Sequence, residues 1–294
     1  MSLPVNLLRR TYRAFVRVFP QCGMISQAIA FNLFLAFFPA LLIMVGFATS
    51  QIGGRTSLFD LINDLTEFLP PGSQTIVSQF LVKRGPEAWK LALVGWTGTL
   101  LAGTQVMRLL MEGIHRIYGD QLKLGFLHRQ VRGLALLLVT IAPLLAAAIL
   151  GVLGRPIRRW LAYELGTHHP FQGWWGFFFP VVAIVLAMIA LTVIYYVARP
   201  GEERLRDVLP GAMLATAFWW LTNVLFGVYV RRVPYSIVYG GLAAVIGLMV
   251  WMQISAIIVF LGAAWNAELD ESRKIVRAWL SGAAENHAGT TGSS

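Results

Sequence analysis

Long apolar stretches without a charged residue dominate this chain. Six of them contain no Asp, Glu, Lys or Arg, and they cover residues 18–54, 91–107, 133–154, 165–198, 208–230 and 233–267. A helix rises about 1.5 Å per residue, so about 20 apolar residues cross a hydrocarbon core roughly 30 Å thick. Five stretches are long enough, and the second reaches that length with Lys90 and Arg108 at its ends. The pattern predicts an all-α, polytopic membrane protein, a six-transmembrane-helix bundle.

The charges divide the chain into three parts. Residues 1–23 are predicted to form a basic arm at the membrane interface, because apolar side chains share one face of a helix there and four arginines occupy the rest. These arginines are Arg9, Arg10, Arg13 and Arg17. Residues 24–272 are predicted to hold the six spans. Residues 273–294 are predicted to be a cytoplasmic tail, amphipathic at first and disordered at its small, polar end.

The first loop on the outer side is long enough to have structure of its own. Residues 55–85 carry apolar positions at helical spacing, and Pro70, Pro71 and Gly72 interrupt them. This pattern predicts an amphipathic helical hairpin. The hairpin would either cover the bundle or offer a surface to an envelope protein, and the sequence leaves both open.

The distribution of basic residues predicts the orientation. The side that holds both termini carries 14 Lys and Arg, against nine on the other side. Since the cytoplasmic side of a membrane protein carries the excess of Lys and Arg, both termini are predicted to lie in the cytoplasm. The cluster Arg155, Arg158 and Arg159 is an exception on the outer side.

The remaining composition argues against several functions. The net charge of +10 is dispersed in short clusters at helix ends, which is typical of membrane-surface contact rather than nucleic-acid binding. Cys22 is the single cysteine, so neither an intramolecular disulfide nor a multi-cysteine zinc site can form. The histidines have no metal-ligand spacing, and no P-loop or G-x-S-x-G motif is present. We expect no cofactor and no enzymatic activity.

One span carries the best candidate for a polar site. Gln105, Arg108 and Glu112 lie within two turns at spacings of three and four, so one stripe of a helix holds all three. Asn32 in the first span is a further candidate. The stripe would face a water-filled or lipid-headgroup cavity. Alternatively, Arg108 reaches the inner interface with Glu112 as its local partner.

Small residues and a proline are predicted to govern helix packing. Gly95, Thr99 and Gly103 recur at four-residue steps, which gives a small-residue face that another helix can approach closely. Pro39 lies deep in the first span, where a proline frees a backbone carbonyl and bends the helix.

Several short motifs together resemble a known family. They are 26–31 leading to 37–39, 115–119, 195–199, 210–212, 219–229, 239–240, Trp251, and 262–263 leading to 266–269. Their order and spacing resemble the YihY/BrkB family of bacterial inner-membrane proteins, over about residues 21–272. The resemblance implies six spans with cytoplasmic termini and a link to envelope functions and serum resistance. Some members have carried a ribonuclease BN label.

This sequence departs from the family's pattern at two places. Members often carry an acidic residue soon after the Gly-Ala of the last span, whereas Ala264 and Trp265 follow here. The segment before Tyr118 often has Asn where this chain has His115. If these positions are functional in the family, their roles do not carry over to this chain; if they only pack, nothing changes.

Three functions are compatible with these observations. The leading hypothesis is a transporter-like protein of the cell envelope whose partner is a membrane lipid or another amphiphile. The second is an envelope scaffold that binds a partner protein through the outer hairpin. The third is a ribonuclease, which lacks support because no metal-ligand cluster or general acid/base pair is visible. The oligomeric state stays open.

Overall fold

All regular structure in the described part of the chain is helical. The computed structural model describes residues 3–51, 88–120, 125–164, 172–199, 204–232 and 241–291, and these residues contain no strand. The helices are α1 (Leu3–Gln51), α2 (Ala88–Tyr118), α3 (Phe126–Glu164), α4 (Gln172–Ala198), α5 (Leu205–Arg232) and α6 (Gly241–Thr291).

The helices form a closed ring in chain order. Each helix packs on the next one along the chain. Helix α1 also packs on α6, and this contact closes the ring. Helices α2 and α6 also contact each other across the ring. From α2 onward, connections of six to eight residues favour antiparallel packing of neighbouring helices, whereas 36 residues separate α1 from α2.

One end of the bundle gathers polar and charged contacts, and we call it the charged end. It comprises the first part of α1, the end of α2, the start of α3, the end of α4, the start of α5 and the middle of α6 around residues 266–274. Ion pairs cross between these helices there, joining Arg17 to Glu268, Arg199 to Asp120 and Arg273 to Asp207. Helices α1, α3 and α5 therefore leave this end, and α2, α4 and α6 return to it.

The buried centre lies between α1, α2 and α6. Ile29, Met111, Ile114 and Phe260 are among its largest fully buried side chains. Gly113 faces the ring of Phe260, where a Cβ atom would clash with it. The absence of a side chain at Gly113 therefore lets α6 lie close to α2.

The outer surface of the bundle is apolar. Leu101 is 73% exposed, Val139 57% and Trp220 55%. A water-soluble domain seldom exposes a continuous apolar surface of this kind. Lipid tails accommodate such side chains, so this surface is the one expected of helices embedded in a bilayer.

Four described helical segments are long and apolar enough to cross a membrane. They are Phe126–Ala146, Val181–Ala198, Leu205–Tyr229 and Val245–Lys274. A fifth crossing results if Tyr12–Pro20 and Cys22–Phe37, which meet at a bend of 72°, count as one span. The chain is thus a multi-pass, all-helical membrane protein.

The second predicted span, the outer hairpin and the tail stay predictions. The second predicted span, 91–107, is not among the five segments, so the number six stays a prediction. The hairpin predicted for 55–85 lies outside the described residues. Helix α6 continues through the predicted tail to Thr291.

Candidate functional site

Two of the sequence motifs meet at the charged end, in a cluster that we call the Arg199 junction. Helix α2 ends at Tyr118, and Gly119 adopts a left-handed φ of 78°. The Gly119 N–H bonds to the Arg116 carbonyl at 3.1 Å and the Asp120 N–H to the His115 carbonyl at 2.9 Å. This pattern is a Schellman ending, for which glycine is suited because it lacks a Cβ.

The helix ending places Asp120 beside the end of α4. The Arg199 guanidinium donates to Asp120 Oδ2 at 2.7 Å and lies 3.9 Å from the centre of the Tyr118 ring. Arg199 is only 6% exposed. A buried guanidinium needs both a counter-charge and packing, and this junction supplies both.

The last carbonyls of α4 are bound by side chains of two other helices. His115 Nε2 lies 3.0 Å from the Ala198 carbonyl oxygen, and Arg132 Nη2 donates to the Val197 carbonyl at 2.8 Å. The final carbonyls of a helix have no partner within the helix, so these contacts stabilise its end. Residues 115–119 and 195–199, which carry part of the family resemblance, thus join the end of α2 to the end of α4.

Two further motifs meet where α5 crosses α6. Asn266 is 2% exposed, accepts from the Gly211 N–H at 2.7 Å and donates to the Val208 carbonyl at 2.9 Å. A Cβ at Gly262 would lie 2.6 Å from the Gly211 carbonyl oxygen. The two backbones are therefore in contact, and the Asn266 amide joins them.

The departure in the last span lies beside this crossing. Ala264 is fully buried and Trp265 is 8% exposed. These side chains fill an apolar core position, where a carboxylate would need a partner.

The predicted stripe on α2 is only partly assembled. Arg108 Nη1 donates to Gln105 Oε1 at 3.0 Å, so the structure brings these two residues together. Glu112 pairs with Arg116 at 2.6 Å. Asn32 donates to the Ala28 carbonyl of its own helix at 2.8 Å.

Helix α3 completes the surroundings of Arg108, in a site that we call the Arg108 seam. The Arg108 guanidinium lies 5.6 Å from the centre of the Phe126 ring. A Cβ at Gly133 would lie 2.8 Å from Arg108 Cγ, so this glycine gives room for the stem of the side chain. Sequence reasoning missed both α3 residues, since no local pattern indicates which helix lies beside α2.

The charge of Arg108 lacks a protein counter-charge within the described residues. No carboxylate there pairs with it. Its Nε is buried and has no hydrogen-bond partner in the same part of the chain. The Arg108 guanidinium in the seam therefore makes a hydrogen bond to an amide oxygen and a contact with an aromatic ring.

The predicted small-residue face of α2 does not pack on a single neighbouring helix. A Cβ at Gly103 would lie 3.0 Å from Leu137 Cδ2, so Gly103 faces α3. Thr99 donates to the Gly95 carbonyl of its own helix at 2.9 Å. It is Gly98 that faces Pro39 of α1, at 3.6 Å from a Cβ position to its ring. The glycine of α2 that faces α1 at ordinary van der Waals distance is therefore outside the predicted series.

Within the described ranges, no group of three or more His, Cys, Asp or Glu residues could hold a metal ion.

Comparisons with known proteins cover nearly the whole chain. The profile of the family described as virulence factor BrkB matches residues 20–286. The ribonuclease-like protein YfkH of Bacillus subtilis is 25% identical over 255 residues, which are 85% of this chain and 90% of that protein. No solved structure matches this chain.

Two further relatives carry only a membrane-protein name. The UPF0761 membrane protein of Aromatoleum aromaticum is 25% identical over 315 residues, covering 98% of this chain and 74% of the relative. That of Alkalilimnicola ehrlichii is 28% identical over 254 residues, covering 84% of this chain and 55% of the relative.

Proposed function

This chain belongs to the BrkB virulence factor family, and we propose that it is a transporter-like protein of the bacterial inner membrane that handles a lipid or another amphiphile. The observation that carries the proposal is the Arg108 seam. There a cation lies between two helices of an apolar bundle, with an amide and a ring as its described contacts.

A cation in such a place is energetically costly. Charged side chains within membrane helices are rare, and those that persist pair with another group or face a polar cavity. An anionic headgroup would supply the missing counter-charge. Its phosphate or carboxylate would match the planar fork of the guanidinium in a bidentate contact.

The exposed side chains near the seam suit an amphiphile. Phe126 and Leu127 are each 72% exposed, and Val131 is 62% exposed on the same helix. Acyl chains would contact these apolar groups while the headgroup reaches Arg108. The proposed activity is therefore binding and movement of the lipid, without a chemical step.

We propose the same orientation for the whole bundle. Six spans place both termini and the charged end in the cytoplasm, as the excess of basic residues on that side favours. A reporter that is active only outside the cytoplasm should be active after Gly72, Thr167 or Arg232. It should be silent after Gly119, Glu203 or Gly282. The inverse pattern would contradict the orientation.

The function is tested by the lipid that stays bound to the purified protein. We expect native mass spectrometry to detect an anionic phospholipid on the wild type. Arg108→Ala should lower its retention about ten-fold, because a hydrogen bond to a charged group contributes about 1.5–3 kcal/mol. Arg108→Lys should lower it less, since the charge remains but the bidentate geometry is lost.

Arg116→Ala is the matched control. Arg116 lies on the same helix and pairs with Glu112, but its side chain is 54% exposed. Its removal should lower lipid retention less than the removal of Arg108 does. Equal retention in wild type, Arg108→Lys, Arg108→Ala and Arg116→Ala would leave Arg108 as an anchor at the interface and contradict the proposed site.

A further inference from the structure

The first part of α1 has three distinct faces. Ala14 is fully buried and Val18 is 2% exposed, so one face packs on the bundle. Tyr12 is 69% exposed, Phe15 46% and Phe19 63% on a second face. The rings of Phe15 and Phe19 lie 5.3 Å apart, which makes this a continuous apolar surface.

The third face carries arginines that pair with Glu268 and Glu271 in the middle of α6. Arg17 Nη1 lies 3.4 Å from Glu268 Oε1 and 3.3 Å from Glu271 Oε2. Arg13 Nη1 lies 3.7 Å from Glu268 Oε2. These contacts hold the start of the chain against a helix more than 250 positions later in the sequence.

The counter-charges of this segment come from outside it. The first acidic residue in the sequence is Asp60, and four arginines precede it between positions 9 and 17. The side chains of Arg13 and Glu271 are 61% and 62% exposed, whereas those of Arg17 and Glu268 are 28% and 13% exposed. Ion pairs with an exposed member, here Arg13–Glu268 and Arg17–Glu271, stabilise a fold only weakly. The attraction of an arginine to an anionic leaflet is of the same order.

We propose that the first part of α1 binds an anionic phospholipid leaflet, and that Glu268 and Glu271 compete with the lipid phosphates for Arg13 and Arg17. The apolar face inserts among the acyl chains while the arginines exchange carboxylate for phosphate. In a neutral leaflet the segment stays paired with α6. In an anionic leaflet the arginines leave Glu268 and Glu271, so the lipid composition sets the position of the segment.

Double spin labels on the full chain in lipid nanodiscs test this exchange. Cysteines introduced at Tyr12 and Lys274, both exposed, report the distance between the two helices. Cys22 is buried, so the unmodified chain is the labelling blank. Replacing phosphatidylcholine discs with mixed phosphatidylcholine and phosphatidylglycerol discs should lower the short-distance population about two-fold or more. Equal distributions in the two lipids would overturn the proposal.

Two glutamate variants test the role of the carboxylates, and inorganic phosphate tests whether the phosphate group alone is sufficient. Glu268→Gln with Glu271→Gln should give the anionic-disc distribution already in neutral discs, and Glu271→Gln alone should give part of the shift if the double variant does not fold. Glu112→Gln, whose partner is Arg116, should change nothing. Inorganic phosphate added to neutral discs should also change nothing. A full shift with phosphate alone, or an unchanged distribution in both glutamate variants, would contradict competition by a lipid leaflet.

This inference does not depend on Arg108. Loss of lipid retention at the Arg108 seam and movement of the first part of α1 are separate measurements, so either can fail while the other stands.

Discussion

Two arginines near the charged end have opposite surroundings. Arg199 has a carboxylate at 2.7 Å and an aromatic ring at 3.9 Å, and it is 6% exposed. Arg108 has an amide oxygen at 3.0 Å and a ring at 5.6 Å, and no carboxylate among the described residues pairs with it. The charge of Arg199 therefore has a carboxylate partner within the protein, whereas the charge of Arg108 has none among the described residues.

The difference separates residues that hold helices together from a residue whose charge has no described carboxylate partner. Five of the motif segments that resemble the family, 115–119, 195–199, 210–212, 262–263 and 266–269, lie in the Arg199 junction and at the crossing of α5 and α6, where they bind helix ends and join backbones. A buried charge that has lost its partner is strongly destabilising, so a fold tolerates one only where another group can reach it. Arg108 is half-buried and lies beside the exposed ring of Phe126, so another group can reach it.

The largest expected effect separates the two arginines by stability. Arg199→Ala removes the counter-charge of Asp120 and the ring contact with Tyr118. Loss of one member of a fully buried pair costs 3–5 kcal/mol, but Asp120 is 41% exposed, so we expect about 2 kcal/mol. Thermal unfolding of the detergent-solubilised protein measures this loss.

Arg116→Ala is the control for charge removal alone. Both members of the Arg116–Glu112 pair are exposed, so its stability should stay within about 0.5 kcal/mol of the wild type. Arg199→Ala should also keep its bound lipid wherever it remains folded. Stability equal to that of Arg116→Ala would mean that the Arg199 junction does not hold the bundle together, and the comparison would fail.

The sequence predicts the fold class because burial in lipid imposes a simple pattern. A span needs an apolar run of fixed length, and four such runs coincide with the apolar parts of α3 to α6. The ring order follows less directly. Contacts such as Gly113 with Phe260 and Gly211 with Gly262 join distant segments, and no periodicity in one helix identifies its partner.

Only those contacts of the candidate site that lie within one helix can be predicted from the sequence. The three-residue spacing of Gln105 and Arg108 predicts that they can bond, as they do. The same spacing rule places Glu112 four residues from both Arg108 and Arg116, and only the structure shows that Arg116 is its partner. Gly133 and Phe126 belong to another helix, so sequence reasoning could not find them.

The smallest expected effect concerns the protonation of His115 in the Arg199 junction. A carbonyl oxygen only accepts, so the Nε2 that lies 3.0 Å from Ala198 carries the proton and donates it. Burial is the main cause that lowers the pKa of His115 from 6.5. Arg199 and Arg132 lower this pKa further, while the Ala198 carbonyl and Asp120 raise it.

A lowered pKa makes the junction weaker in acid. Between pH 6.5 and the folded-state pKa, the unfolded chain binds a proton that the folded chain does not, so stability falls as the pH falls through this window. His115→Asn keeps an amide donor for the Ala198 carbonyl but does not titrate. Melting temperatures measured from about pH 8 to about pH 5 should therefore decrease less in this variant than in the wild type. Parallel pH profiles would show that His115 does not couple protonation to the stability of the Arg199 junction.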